Sequence, residues 1–155
     1  PVYGNCTAYG SEIMKFGIMS DWDVSKITNM DGITGEEGAL IGFGGKATFN
    51  ANISNWDVSQ VTSMRGTFYQ ASAFNADISS WKTTLVTTME SMFFSAVTFN
   101  QNVGNWDVSQ VLTMRDMFSN ASSFNQDIRD WNTTAVTDMT RMFSSASVFG
   151  YDLSH

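Results

Sequence analysis

The sequence predicts an α/β solenoid, a right-handed stack of strand and short-helix turns with a parallel sheet along one side. The first observation behind this is a fixed step of 25 residues: Phe recurs at Phe49, Phe74, Phe99, Phe124 and Phe149, and Trp at Trp56, Trp81, Trp106 and Trp131. The second is that the slots between those landmarks repeat as well. They hold Ile53, Ile78, Val103, Ile128 and Leu153, then Val61, Val86, Val111 and Val136, then Met64, Met89, Met114 and Met139. Phe68, Phe93, Phe118 and Phe143 complete the frame with Ala71, Ala96, Ala121 and Ala146. A repeat of this length cannot bury its apolar face alone, so each turn stacks on the next and columns of like residues form the core. Third, 43% hydrophobic against 15% charged residues in 155 provides enough apolar material for one such core.

Residues 1 to 21 do not match the frame cleanly and read as a divergent first turn or cap, which an open solenoid end requires. The solenoid of about five to six repeats then runs over residues 22 to 155, beginning with Trp22 to Met30, WDVSKITNM, which matches Trp56 to Met64, WDVSQVTSM. Trp22 lies 34 residues before Trp56, so nine extra residues fall within 31 to 46. That stretch holds six of the twelve glycines and reads as a loop bulging from the stack. It is either a tolerated insertion or a contact loop, the latter suggested by the apolar Leu40, Ile41 and Phe43 among the glycines.

Within each regular turn, Val61, Met64, Phe68 and Ala71 step by three, four and three, which predicts one face of a short helix. Trp56 and Val58 ahead of it alternate as a strand would, and the hydroxyl three residues after every Trp suits the helix start. Asn50, Asn75, Asn100 and Asn125 follow the Phe column. As buried turn residues, they are expected to hydrogen-bond the backbone of adjacent coils. The chain stops in mid-unit at His155, so the edge with Phe149, Tyr151 and Leu153 is expected to be an intersubunit contact, met by Val2, Tyr3 or a Cys6 disulfide of a neighbour.

The frame F-N-x-(D/N)-I-S-x-W-D-(V/T)-S-x-V-T-x-M-x-x-M-F-x-x-A-S over Phe49 to Ser147 resembles the repeats of BspA-like bacterial surface proteins, of the mycoplasma surface lipoprotein type. That resemblance implies a leucine-rich-repeat-like solenoid at a cell surface, associated with adhesion and interaction and with no conserved catalysis. It carries no ligand residues over.

Chemistry is sparse. The net charge of -7, from 15 acids and 8 bases without any basic run, argues against nucleic acid as a partner. No apolar run is long enough to span a bilayer, and the start Pro1-Val2-Tyr3 has no leader pattern, which suggests a mature or trimmed product. One cysteine, Cys6, allows no internal disulfide. N-x-Ser/Thr sequons at Asn5, Asn52, Asn120 and Asn132 are candidate N-glycosylation sites.

The Trp and Met columns read as core, not as a sugar platform or a metal box. Two acidic columns, Asp23, Asp57 and Asp107 and then Asp77, Asp127 and Asp152, raise a Ca²⁺ site. Lys82 and Asn132 interrupt the first and Asn52 and Asn102 the second, so turn capping is the better reading. No nucleophile, base and orienter set can be assembled, no cofactor is implied, and an enzyme is not expected. The leading expectation is an extracellular structural protein that stacks head to tail into a filament or matrix. The alternative is a monomeric adhesion module for a protein or glycan of a host or matrix.

Overall fold

The computed structural model describes residues 19–32 and 43–153. Its regular element is a single 3₁₀ turn, Met19–Asp21. The expected α/β solenoid with a parallel sheet is not what forms: among the described residues helix accounts for 2% and strand for 4%, with no sheet. What repeats is a coil of tight turns stacked on its neighbours. Among the described residues the only ladder is one bridge residue per coil, running parallel through Asn29, Ser63, Thr88, Thr113 and Asp138.

The backbone explains why the apolar spacing looked helical. From Met64 to Ala71 the chain runs through overlapping turns, with Thr67 N–H donating to Met64 O, Tyr69 N–H to Gly66 O and Ala71 N–H to Phe68 O. The amides between them point along the stack. Met64, Gly66, Phe68 and Gln70 donate to Thr88, Glu90, Met92 and Phe94 of the next coil at 2.7–3.0 Å. An α-helix would spend every one of these N–H groups internally on the residue four back. Here half close turns and half hold the neighbouring coil, so the 3-4-3 spacing faces the core without a helix. The same division removes the expected strand at Trp56 and Val58. Both side chains are buried, but Trp56 N–H and Val61 N–H close local turns onto Ile53 O and Val58 O.

This ribbon needs left-handed backbone at two points per coil. Gly66, Ser91, Asp116 and Arg141 have φ between 54° and 59°, and Gly45, Gln70, Ser95, Asn120 and Ser145 between 55° and 72°. For residues with a Cβ that conformation costs about 1–2 kcal/mol each. Every interior one of these residues donates its N–H to the next coil, as Ser91 does to Arg115 O at 2.8 Å and Asn120 to Ser144 O at 2.8 Å. The stacking contact holds the strained geometry in place.

The core is two columns of phenylalanine beside one of tryptophan. Inside each coil the two Phe rings lie face to face, Phe68 on Phe74 at 3.8 Å and Phe93 on Phe99 at 3.9 Å. Between coils Phe68, Phe93, Phe118 and Phe143 stack at 5.5–5.6 Å. Such full overlap is not what ring quadrupoles favour, so burial, about 1.5–3 kcal/mol per Phe, drives the arrangement. The Met column is core as well, with Met64, Met89 and Met114 fully buried.

The register also places the inserted residues. Met30 and Gly32 donate to Ser63 O and Arg65 O, and Phe43 and Gly45 to Thr67 O and Tyr69 O, so the frame is kept on both sides and the extra residues lie between Gly32 and Phe43. Gly32 and Gly44, on either side of them in sequence, are pressed together: a Cβ on Gly44 would stand 2.2 Å from Gly32 O, and one on Gly32 2.0 Å from Gly66 O. Phe43 itself is buried and stacks on Phe49 at 3.7 Å, so it is the first member of the Phe column and not a contact residue. Leu40 and Ile41 lie outside the described residues.

Candidate functional site at one end of the stack

Three sets of side chains line the stack, and two of them are spent on it. The Asn column works as expected except that it is not buried. Asn50, Asn75 and Asn100 each accept, through Oδ1, the backbone N–H of the Asn one coil on at 2.8–2.9 Å, and Asn125 accepts Gly150 N–H at 3.1 Å. Asn50, Asn100 and Asn125 are exposed and Asn75 half-buried. The acidic residues cap turns. Asp23, Asp57 and Asp107 accept from the hydroxyl of Ser25, Ser59 and Ser109 and then from that serine's N–H, which holds their carboxyls below the usual range. At Asp77 the Ser79 N–H is the stronger cause, and Arg129 draws Asp127 down to about 2. Among the described residues no group of three or more His, Cys, Asp or Glu is placed to hold a metal ion.

The ion pairs gather near the last coils. Arg141 forks onto the carboxylate of Asp116, with Nε and Nη2 both at 2.8 Å, and Arg115 approaches Asp116 at 3.6 Å and Asp138 at 3.9 Å. Asp116 is 8% exposed. Its carboxyl is held low chiefly by the Arg141 hydrogen bonds.

The third set is the apolar face of the last coil, which nothing among the described residues covers. Met139 is 42% exposed where Met89 and Met114 are fully buried, and Val136, Phe143 and Phe149 are partly exposed where their counterparts in the preceding coil are buried. Of the expected contact residues, Phe149 stacks on Phe143 at 4.1 Å and on Phe124 at 5.8 Å. Tyr151 is exposed with Arg129 over its ring, and Leu153 is exposed. Val2, Tyr3, Cys6 and the sequon at Asn5 lie outside the described residues, while Asn52, Asn120 and Asn132 are all exposed. A cleft of about 180 Å³ opens on this face, lined by Ile128, Trp131, Thr133, Met139, Phe143 and Leu153 among others. The sequence reading reached the face but not the cleft, whose signal is the Trp column itself.

Two overlapping matches, over residues 5–102 and 38–155, tie the chain to the family described as "Mycoplasma protein of unknown function, DUF285". The chain belongs to that family. DUF285 is related to BspA-like repeat proteins. No curated protein and no solved structure matches this DUF285 chain. No helix among the described residues is long and apolar enough to cross a membrane. What the DUF285 coil presents at its end is shape, apolar surface and backbone donors.

Proposed function

We propose that this chain is an extracellular structural protein that assembles by stacking its end face on a second copy, head to tail, in a surface filament or matrix. It acts by assembly and not by catalysis, with no cofactor, and any glycans sit on the exposed Asn52, Asn120 and Asn132. The observation that carries the reading is that every interior coil binds the next through the same backbone amides, a contact between unlike faces that coils of a second copy can continue.

The backbone at the two ends supports it. Interior coils donate four amides forward, and in the last coil the equivalent amides are those of Met139, Arg141, Phe143 and Ser145. At the opposite end the matching acceptor positions are the carbonyls of Asn29, Asp31 and Gly44. A contact between unlike ends leaves one donor end and one acceptor end free, so it propagates. The relationship to BspA-like proteins supports the 25-residue repeat and the cell-surface placement.

Sedimentation of the 155-residue chain over a range of concentrations, with negative-stain microscopy of the concentrated sample, tests the proposal. Association without a fixed end point, in fibres with an axial repeat of about 25–30 Å, is expected from five to six coils at about 4.8 Å each. Monomers at every concentration would overturn it.

A further inference from the structure

We infer that Asn52 and Asn132 are the places at which the folded chain takes an N-linked sugar, and that Asn120, although it stands in the same three-residue pattern, is not. The inference rests on the extracellular placement proposed above only for where the sugar donor is met. All three asparagines are exposed and head an N-x-Ser/Thr sequence, but the fold uses the hydroxyls that follow them differently. Asn52 Oδ1 accepts the N–H of Ser54 at 3.1 Å and its Oγ–H at 2.8 Å. Asn132 Oδ1 accepts the N–H of Thr134 at 3.2 Å and its Oγ1–H at 2.8 Å. Both lone pairs of each amide oxygen are thereby taken, while neither Nδ2 has a partner among the described residues. At Asn120 the hydroxyl two residues on is committed elsewhere: Ser122 Oγ donates to Val97 O of the preceding coil at 3.4 Å, as Ser72 Oγ does to Ala47 O at 3.1 Å. Asn120 itself is held at φ 58°, with its N–H bonded to Ser144 O.

A carboxamide nitrogen is a poor nucleophile because its lone pair is shared with the carbonyl. Two donors on Oδ1 draw charge onto the oxygen and make the Nδ2 proton easier to remove, which is how a neighbouring group activates a weak nucleophile. With a glycosyl diphosphate as donor, Nδ2 forms a bond to the anomeric carbon. The carbon–oxygen bond to the diphosphate breaks with its electron pair, and the Nδ2 proton passes to a base of the transferring enzyme. The turn itself does not need the amide nitrogen. Asp57, Asp77 and Asp107 close the same turn onto Ser59, Ser79 and Ser109 with a carboxylate, so at Asn52 and Asn132 the Nδ2 is surplus to the fold. Exposure there is a property of the flank. Asp77 and Asn102 in the Asn52 column, and Asp57, Lys82 and Asp107 in the Asn132 column, are exposed in coils that have neighbours on both sides. Sugars at these two positions project sideways and leave the stack free.

The test treats the folded 155-residue chain with UDP-glucose and a soluble N-glycosyltransferase selected to modify all three sequences in peptides cut from the chain. Peptide mass mapping should find a hexose on Asn52 and on Asn132 and none on Asn120, which takes a sugar only before its coil closes. Asp57→Asn and Asp107→Asn convert equivalent turns into N-x-Ser sequences, and each should gain a hexose at that position while keeping the melting temperature of the parent. Asn52 and Asn132 left bare, Asn120 modified as fast as they are, or an Asp57→Asn or Asp107→Asn chain that melts as the parent does and stays unmodified would each overturn the inference. Because the sugar is added to purified chain, none of these results bears on stacking or on surface placement. A chain that takes both sugars yet stays monomeric at every concentration supports the two sites and overturns the stacking alone.

Discussion

The coil of Met114 to Ala121 and the coil of Met139 to Ala146 carry the same frame, yet one is core and the other is surface. Met114, Met117 and Phe118 have no exposure at all, whereas Met139 is 42% exposed and Phe143 is only partly covered. Burial in this protein is therefore a property of having a coil on both sides and not of the residue type. An interior coil is held through two interfaces and the end coil through one, the nearest-neighbour regime expected of stacked repeats.

Substitutions that read this difference are the sharpest tests. Phe93→Ala removes a ring packed between coils on both sides and should cost about 3–5 kcal/mol in urea denaturation, whereas Phe143→Ala should cost about half as much. Equal losses would break the comparison. Met114→Ala should lose about 2–5 kcal/mol and Met139→Ala under about 1 kcal/mol in dilute monomer. If the end face is a stacking surface, the Met139 penalty grows with protein concentration while the Met114 penalty does not.

A smaller effect concerns acid. Arg141 on the end coil holds the Asp116 carboxyl below its ordinary value. That contribution is fully present above the unfolded carboxyl range, near pH 3.9, and is lost as the pH falls through the lower folded value. Arg141→Ala should flatten the stability profile in that window and leave it unchanged near pH 7 apart from a constant offset. An unaltered acid limb would show that Asp116 is held by its other neighbours. Smallest of all, Ser95→Gly and Ser145→Gly relieve left-handed strain of about 1–2 kcal/mol against a glycine entropy cost of about 0.5–1 kcal/mol. Both should stabilise by about 0.5–1 kcal/mol, in the interior and at the end alike, because that strain is local. A gain at only one site would tie the strain to the neighbouring coil.

Much of the core was readable because a column needs the same residue at the same step, as Phe74, Phe99 and Phe124 show, and the Asn ladder because an amide side chain has few other uses there. The secondary structure was misread because apolar spacing of three and four is produced equally by a helix and by a ribbon of overlapping turns. What separates them is where the amides go, and no side-chain pattern reports that directly. One clue was present: Gly66 sits in the middle of the supposed helix, and Gly45 four residues before Phe49, both at left-handed positions. The cleft was invisible because its walls, Trp131, Met139 and Phe143 among them, are the column residues that other coils bury.

The division of backbone amides between turns and neighbours also determines how the protein meets a pulling force. Because each coil is joined to the next by a small set of bonds running along the stack, a load on the two ends of the chain peels one coil at a time and never shears a whole sheet at once. Each regular coil that detaches releases 25 residues, about 85 Å of extended chain, and the coil from Trp22 to Trp56 releases 34, so single-molecule stretching should give a sawtooth with one longer tooth. The molecule would lengthen under strain one coil at a time, and each coil could re-seat on the template below it when the load is released.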